Sequence, residues 1–370
     1  MEENLKILHI VNRIGNGGSE SGTIHLSCAQ AKYHSILLVG IKPPLDIYSG
    51  IAGELIARLK QSGVEYEQLN FSNLPPGLLV SAYQLLSIIR RFKPDVVHLH
   101  TDHPEYLFAL IKPWVDALVV RTIRNTVFWP TSKVRGKFAE RALSQAITAH
   151  FTTDSIAALN ARRAEFGLPP PQTNKIVPNA INRHCEVDQG QNVVRYQKGK
   201  LNLGFIGRLT YQKGPDVLLE AIKELPEQSI ALHFIGDGEE KQTLEATSES
   251  IPQPIFFYGA VPYARQNIKE LDYLVVPSRY EGFGLISLEG QIEKTPVIAA
   301  RAPGLTPSLP VDWPLLFDNE SSEQLAQLLQ RLIDRNDDQS DIIELGFENA
   351  LNYTMEAQVE RYTKLYQQYL

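Results

Sequence analysis

Pro277–Glu289 (PSRYEGFGLISLE) holds two carboxylates, Glu281 and Glu289, with seven residues between them. Carboxylates accept hydroxyl pairs well, so one can hold a sugar and the other a ribose. Gly282 and Gly284 flank Phe283 just before Leu285, where a helix should start, and backbone N–H groups there suit an anion or sugar hydroxyls. A second segment, Gly207-Arg208-Leu209 then Lys213-Gly214-Pro215-Asp216, sets two cations five positions apart before a helix whose first turn carries Pro. That pair suits a pyrophosphate, although a solvated basic loop would look the same in isolation. The GxxxxGK[ST] pattern of a P-loop is missing. A third loop, Gly15-Asn16-Gly17-Gly18-Ser19-Glu20, follows an apolar run and opens a helix, so Gly17 and Gly18 can bring backbone up to a ligand. Glu20 stands where a dinucleotide fingerprint wants Gly, and SILLVGIKPP offers no ribose-binding acid, so NAD is disfavoured. His98, His100 and His103 cluster near a strand end, but no Cys or acid set completes a zinc site. D-x-D pairs are lacking, so a Mg²⁺ clamp of that type is not expected. Gly236-Asp237-Gly238 and Pro178-Asn179-Ala180-Ile181-Asn182 read as turns.

The elements that must carry these loops alternate between short apolar runs and longer stretches of helical period, the pattern of parallel α/β architecture. Strands are expected at Lys6–Val11, Ser35–Gly40, Asp95–Leu99 and Ala117–Val120, with helices at Ser19–Lys32, Ile51–Gln61, Leu78–Phe92 and Lys137–Ala146. The pattern then restarts. Strands are expected at Leu201–Ile206, Ile230–Ile235, Ile255–Tyr258, Tyr273–Val276 and Pro296–Ala299. Helices follow at Pro215–Leu225, Glu239–Glu249, Leu285–Glu293 and Glu323–Arg335. Two doubly wound domains are therefore expected, 1–183 and 184–350, joined through the polar stretch Arg183–Lys200. The segment 351–370 adds a helix with Tyr362, Leu365, Tyr366 and Tyr369 on one face, which must dock somewhere.

With 370 residues, 43% of them hydrophobic, the chain has material for about two cores. Its two cysteines, Cys28 and Cys185, fit a reducing cytosol, and neither a signal peptide nor an apolar run long enough for a bilayer is visible. The net charge of −6 argues against general nucleic-acid binding. It averages two unlike halves: 20 basic and 14 acidic residues up to Arg183, a surplus of +6, then 16 and 28, a deficit of −12.

Taken in order, the glycine loop, P-N-A-I-N, G-R-L-x3-K-G and P-S-x2-E-G-F-G-L-x3-E resemble the GT-B glycosyltransferases of family 4, over nearly the whole chain. The resemblance implies two Rossmann-like domains facing across a cleft, and a last helix returning to the N-terminal one. It implies a retaining enzyme that needs no metal or other cofactor and uses a nucleotide sugar, with UDP-glucose or a related UDP-hexose as the expected donor. Arg208 and Lys213 would neutralise the diphosphate. Glu281 would face the sugar, with Gly282, Phe283, Gly284 and Leu285 nearby. Glu289 would hold the ribose, Gly17 and Gly18 the phosphate or acceptor, and Gly259-Ala260-Val261 would lie near the base. A nucleotide-sugar epimerase of the same fold and a non-catalytic nucleotide-sugar-binding protein are the alternatives.

The chain departs from the family where a His usually contacts the donor-sugar region and Arg124 stands instead. Arg124 cannot serve as a neutral acceptor or base, but it can clamp an anion, and His103 is a candidate substitute for the missing imidazole. Arg121 to Arg141 carries Arg121, Arg124, Lys133, Arg135, Lys137 and Arg141 against the single acid Glu140, interleaved with Phe128, Trp129 and Phe138. With the N-terminal domain as acceptor side, Lys133, Arg135 and Lys137 are expected to meet a glycan or lipid-linked anionic acceptor, or an anionic membrane surface. The location expected is cytoplasmic, peripheral at the inner face of the membrane.

Overall fold

A computed structural model describes residues 4–14, 18–44, 49–72, 74–124, 129, 132–183, 192–334 and 339–370. Gly17, Phe128 and Cys185 lie outside these described residues. The chain divides into two compact units, Met1–Asn179 with Met355–Leu370, and Ala180–Thr354.

Unit 1 holds seven strands: β1 (Lys6–Val11), β2 (Ser35–Gly40), β3 (Glu65–Gln68), β4 (Val96–His100), β5 (Leu118–Ile123), β6 (Ile147–His150) and β7 (Asn174–Ile176). Its helices are α1 (Gly18–Gln30), α2 (Ser49–Gln61), α3 (Gly77–Phe92), α4 (Asp102–Ile111), α5 (Lys133–Ala142) and α6 (Thr153–Glu165). The sheet runs β3-β2-β1-β4-β5-β6-β7, and its neighbouring strands pair in parallel. Parallel strands are covered on both faces, which is why KILHIV, SILLVG and VVHLH are near-continuously buried.

Unit 2 contains β8 (Leu201–Ile206), α7 (Pro215–Lys223), β9 (Ile230–Ile235), α8 (Lys241–Ser248), β10 (Ile255–Phe257), β11 (Tyr273–Val276), α9 (Leu285–Ile292), β12 (Val297–Arg301), β13 (Leu316–Asp318), α10 (Ser322–Asp334) and α11 (Ser340–Leu351). Its parallel sheet has the order β10-β9-β8-β11-β12-β13. The last helix, α12 (Met355–Tyr369), belongs to unit 1 and packs on α1. Its apolar face buries Val359, Tyr362, Leu365 and Tyr366. Among the described residues no helix is long and apolar enough to cross a membrane.

Several elements differ from expectation. β3, β7 and β13 are short edge strands with exposed residues, so they lack the apolar run of a central strand. α4, α6 and α11 were not anticipated. α5 starts at Lys133 rather than Lys137, because Ser132 caps it by accepting a hydrogen bond from Arg135 N–H at 3.4 Å.

The largest correction concerns Arg121. β5 runs on through Arg121 to Ile123, and the Arg121 side chain is fully buried rather than part of a basic surface. Its two Nη atoms donate to both Glu140 carboxylate oxygens at 2.8 and 2.9 Å, and Nη1 reaches Glu105 at 3.4 Å. Arg163 Nη1 also donates to Glu140 at 2.7 Å. Burial pushes the Glu105 carboxyl up to about 8, against the pull of Arg121. Trp129 is likewise buried, packed under Gly136 of α5, where a Cβ would sit 2.4 Å from the indole.

Breaking a buried, hydrogen-bonded ion pair by removing one partner leaves an uncompensated charge, at a cost of about 3–5 kcal/mol. Glu140→Gln should therefore lower stability by about that amount, read as a drop in the urea midpoint with an unchanged m-value. A loss below about 1 kcal/mol would show that Arg121 finds relief elsewhere.

Candidate functional site

The order of the unit 2 sheet reverses between β8 and β11. At such a reversal the two flanking loops diverge beyond the C-terminal strand ends and leave a crevice. The loop after β8 carries Arg208 and Lys213, and the loop after β11 carries Ser278 to Gly284. A cavity of about 320 Å³ lies there, with Gly207, Arg208, Lys213, Ser278, Leu285 and Glu289 in its wall. A larger groove of about 940 Å³ lies between α7 and α10, lined by Glu220, Glu224 and Glu323 among others, and contains none of the motif residues.

Backbone proximity makes this crevice possible. Gly214 takes φ +65°, and a Cβ there would sit 2.2 Å from the Pro277 carbonyl oxygen. A Cβ on Gly304, at φ +72°, would sit 1.9 Å from the Glu281 carbonyl oxygen. Arg279 then ties the two loops together. Its Nη atoms donate to the Asp216 oxygens at 2.9 and 2.8 Å, its Nε donates to Glu320 at 2.9 Å, and its guanidinium lies 3.8 Å from the Tyr211 ring centre. Its backbone N–H donates to Gln212 O at 2.9 Å, and Gln212 Nε2 donates to Tyr280 O at 3.1 Å. Burial would raise the Asp216 carboxyl, but hydrogen bonds from Arg279 outweigh it and hold it below the usual range.

The two motifs meet directly. Lys213 Nζ donates to Glu281 Oε1 at 2.6 Å, and Ser278 Oγ donates to the same oxygen at 2.8 Å. The expectation gave Lys213 and Glu281 separate partners; in this structure they are each other's. Gly284, in the left-handed region at φ +60°, is the N-cap of α9, and no side chain caps that helix. The N–H groups of Leu285 and Ile286 have no intrahelical acceptor, while Ser287 N–H donates to Gly284 O at 3.0 Å. Phe283 turns away from the cavity, buried with its ring 5.4 Å from that of Tyr353. Gly259-Ala260-Val261 is not among the residues lining the cavity. Ser278 and Arg279 lie inside the motif but were assigned no role. Ser278 is legible as a near neighbour of Glu281, whereas the carboxylates that hold Arg279 lie 63 and 41 positions away.

In unit 1 the reversal falls between β1 and β4, and Arg124 follows β5. The imidazole beside Arg124 is His100, not His103. Arg124 Nη2 donates to Thr23 Oγ1 at 2.8 Å and to His100 Nδ1 at 3.2 Å, with its guanidinium 5.0 Å from the Phe151 ring centre. His103 instead lies edge-on to Phe71, with ring centres 6.0 Å apart. The expected trio becomes His9, His98 and His100, whose nearest ligand atoms fall within 4.8 Å, a metal-ligand spacing.

Their nitrogens are engaged in a directional chain. The Gln30 amide oxygen can only accept, so His9 Nε2 donates to it at 2.7 Å. His9 Nδ1 then accepts from His100 Nε2 at 3.0 Å, and His100 Nδ1 accepts from Arg124. His98 pairs with Tyr366 at 2.8 Å and with Thr122 at 2.6 Å. All three rings are held neutral, chiefly by burial: His9 is lowered to about 4, and His98 and His100 well below their ordinary value. His9 escaped the sequence reading because its register partner His98 lies on another strand. Gly18 is the first residue of α1. Lys133 and Lys137 are exposed on α5, while Arg135 is half-buried with its guanidinium 5.6 Å from the Tyr106 ring centre.

Residues 189–348 match the family model described as "Glycosyl transferases group 1". An uncharacterized glycosyltransferase of Methanocaldococcus jannaschii is 29% identical over 321 residues, covering 82% of this chain and 86% of the relative. The D-inositol 3-phosphate glycosyltransferase of Corynebacterium jeikeium is 25% identical over 367 residues, covering 90% and 84%. The chain is a glycosyltransferase. Its fold is GT-B. Anabaena HepE, solved in complex with UDP and glucose, superposes with a TM-score of 0.77 over 99% of this chain and 100% of its own at 16% identity. A glycosyltransferase from Rickettsia africae gives 0.79 over 99% and 98% at 17% identity.

In this glycosyltransferase, burial raises the Glu289 carboxyl to about 7; Arg265 opposes the rise and Glu293 adds to it. A carboxyl whose folded value exceeds its unfolded one costs stability that appears as pH climbs from about 4.5 and is complete above about 7. Glu289→Gln should therefore be neutral for thermal stability at pH 4.5. At pH 8 it should be stabilising, by on the order of 1–3 kcal/mol. Equal effects at both pH values would mean that the carboxyl titrates normally.

Proposed function

We propose that this glycosyltransferase moves a hexose, with retention and without a metal, from a UDP-hexose such as UDP-glucose to a glycan or lipid-linked acceptor in polysaccharide synthesis. One observation carries the reading: Arg208, Lys213 and Glu289 line a single cavity at the unit 2 reversal point, and Lys213 there bonds Glu281. The solved complex of Anabaena HepE with UDP-glucose supports the choice of donor.

Breaking the sugar–phosphate bond sends its electron pair to the β-phosphate oxygen and leaves oxocarbenium character on the sugar. Arg208, Lys213 and the N–H groups of Leu285 and Ile286 at the start of α9 stabilise the charge on the diphosphate. The acceptor hydroxyl oxygen bonds to the anomeric carbon on the face the phosphate leaves. Its proton passes to the departing phosphate oxygen, so the step needs no protein nucleophile. Glu289 accepts from the ribose hydroxyls. Glu281 lies toward the sugar, and Lys213 moves from it to the diphosphate when donor arrives.

Transition-state donors of this kind are worth about 10²–10³ in rate. Arg208→Ala and Lys213→Met should each lower UDP release from UDP-glucose by that factor, followed by a coupled assay or by ³¹P NMR. Wild-type protein that binds UDP-glucose yet releases no UDP to any acceptor or to water would overturn the transfer mechanism.

We place the enzyme in the cytoplasm with unit 1 as the acceptor side, resting against an anionic membrane. The outward face of α5 combines Lys133, Lys137 and Arg141 with Val134 (83% exposed) and Phe138. The start of α3 exposes Leu79, Val80 and Tyr83. Apolar tips among cations suit the headgroup boundary, where each cation contributes about 1 kcal/mol. The Lys133→Glu/Lys137→Glu double variant should lose co-sedimentation with vesicles of 30% phosphatidylglycerol while vesicles of pure phosphatidylcholine pull down neither protein. Unchanged sedimentation would remove the membrane from the proposal.

A further inference from the structure

Two donors meet at one oxygen of Glu281. Lys213 Nζ reaches Oε1 at 2.6 Å, and Ser278 Oγ reaches the same atom at 2.8 Å. Lys213 and Ser278 both stand in the wall of the cavity of about 320 Å³, and Glu281 is not part of that wall. The Glu281 side chain is 8% exposed and Ser278 is 2% exposed. Water therefore does little for this carboxylate, and its protein donors carry the task of satisfying it.

The two donors differ in freedom. Ser278 lies two residues beyond β11, whose last residue, Val276, pairs with Ala299 of β12. Pro277, between them, has its carbonyl pressed against Gly214. The Ser278 hydroxyl turns about χ1 alone, so it stays with the strand end. Lys213 closes the single turn Tyr211–Lys213, and its ammonium rides a flexible four-carbon stem. Glu281 cannot follow that ammonium. Its N–H donates to Pro303 O at 2.9 Å, and its carbonyl abuts Gly304. Two residues earlier, Arg279 is fastened to Asp216 and Glu320. One donor is fixed, the other can leave, and the backbone of the acceptor is pinned. When Lys213 crosses to a diphosphate it exchanges one anion for another, but the carboxylate it leaves is largely out of water. A buried charge stripped of its donor is unfavourable. Ser278 is already on the oxygen that Lys213 vacates.

We propose that Ser278 is a positioning residue for donor binding: it keeps hold of Glu281 while Lys213 is handed over to the diphosphate. No covalent bond forms or breaks in this step and no proton is transferred. The hydroxyl hydrogen of Ser278 points to Oε1 before and after the hand-over, and only the ammonium changes partner. Ser278 has this role only if Lys213 serves the diphosphate, the reading on which the hand-over rests. It acts through Glu281 and needs no contact of its own with the nucleotide.

Titration calorimetry of the whole chain with UDP tests this, with circular dichroism as the control for folding. A hydrogen bond to a charged group is commonly worth a factor of roughly ten or more in an equilibrium, so Ser278→Ala should weaken UDP binding by about tenfold. With UDP-glucose, KM should rise by about the same factor and kcat should fall by less. In the Glu281→Gln background Lys213 leaves no charge behind, so adding Ser278→Ala should weaken UDP by less than about twofold more. A merely structural role would persist in that background. UDP held equally by wild type and Ser278→Ala, or a loss of the same size in the Glu281→Gln background, overturns the hand-over and leaves the donor site standing. Lys213→Met protein that binds UDP as tightly as wild type refutes instead the diphosphate role of Lys213, and the hand-over falls with it.

Discussion

The Arg279 guanidinium has every direction filled. Asp216 takes two of its N–H groups, Glu320 takes the Nε, and the Tyr211 ring covers one face. A planar fork satisfied in this way cannot rotate without breaking several charge-assisted bonds at once. Its partners belong to the loop after β8, the first turn of α7 and the turn after β13, while Arg279 itself sits in the loop after β11. The mutual placement of Lys213 and Glu281 depends on that one fixed side chain. Where loops must be set within fractions of an ångström for chemistry, a bidentate lock is a cheaper solution than packing alone, because the loops stay short and the glycines at 214 and 304 keep their backbones in contact.

Unit 1 solves its own problem with neutral polar groups. Its central strands bury histidines, threonines and an arginine where apolar residues would be simpler. Each is paired: His9 to Gln30 and His100, His98 to Thr122 and Tyr366, Arg121 to Glu140. A paired network of this kind favours one arrangement of the strands, since a slip by one residue would strand its members. Arg124 ends that network at the strand edge and is oriented by it.

Most of the architecture was legible from residues alone. Central strands such as Ile230–Ile235 announce themselves by unbroken apolar runs, and the glycine-and-carboxylate spacing of Pro277–Glu289 marks its loop. Three kinds of feature were not legible. Edge strands such as Glu65–Gln68 carry a polar face, so the apolar signal is absent. Arg121 read as surface charge because the carboxylate that buries it, Glu140, is 19 residues away on a helix. The Lys213–Glu281 pairing joins residues 68 apart, and only the closure of the two loops brings them together. In each case the missing information was a tertiary partner, which local propensity does not encode.

The docking of α12 has a consequence for the order of events during synthesis. Tyr362 and Tyr366 complete the burial of His98 and Thr122, and Thr363 bonds His34 at 3.0 Å, so the last helix is part of the unit 1 core. Between Asn179 and Met355 lies the whole of unit 2. At roughly 5–20 residues per second the ribosome needs on the order of 10–30 s to make it. Throughout that interval His98 and Thr122 lack the cover that Tyr362 and Tyr366 supply. The contiguous unit 2 can close as it emerges, ahead of the unit that precedes it in sequence. The molecule therefore finishes folding at its beginning.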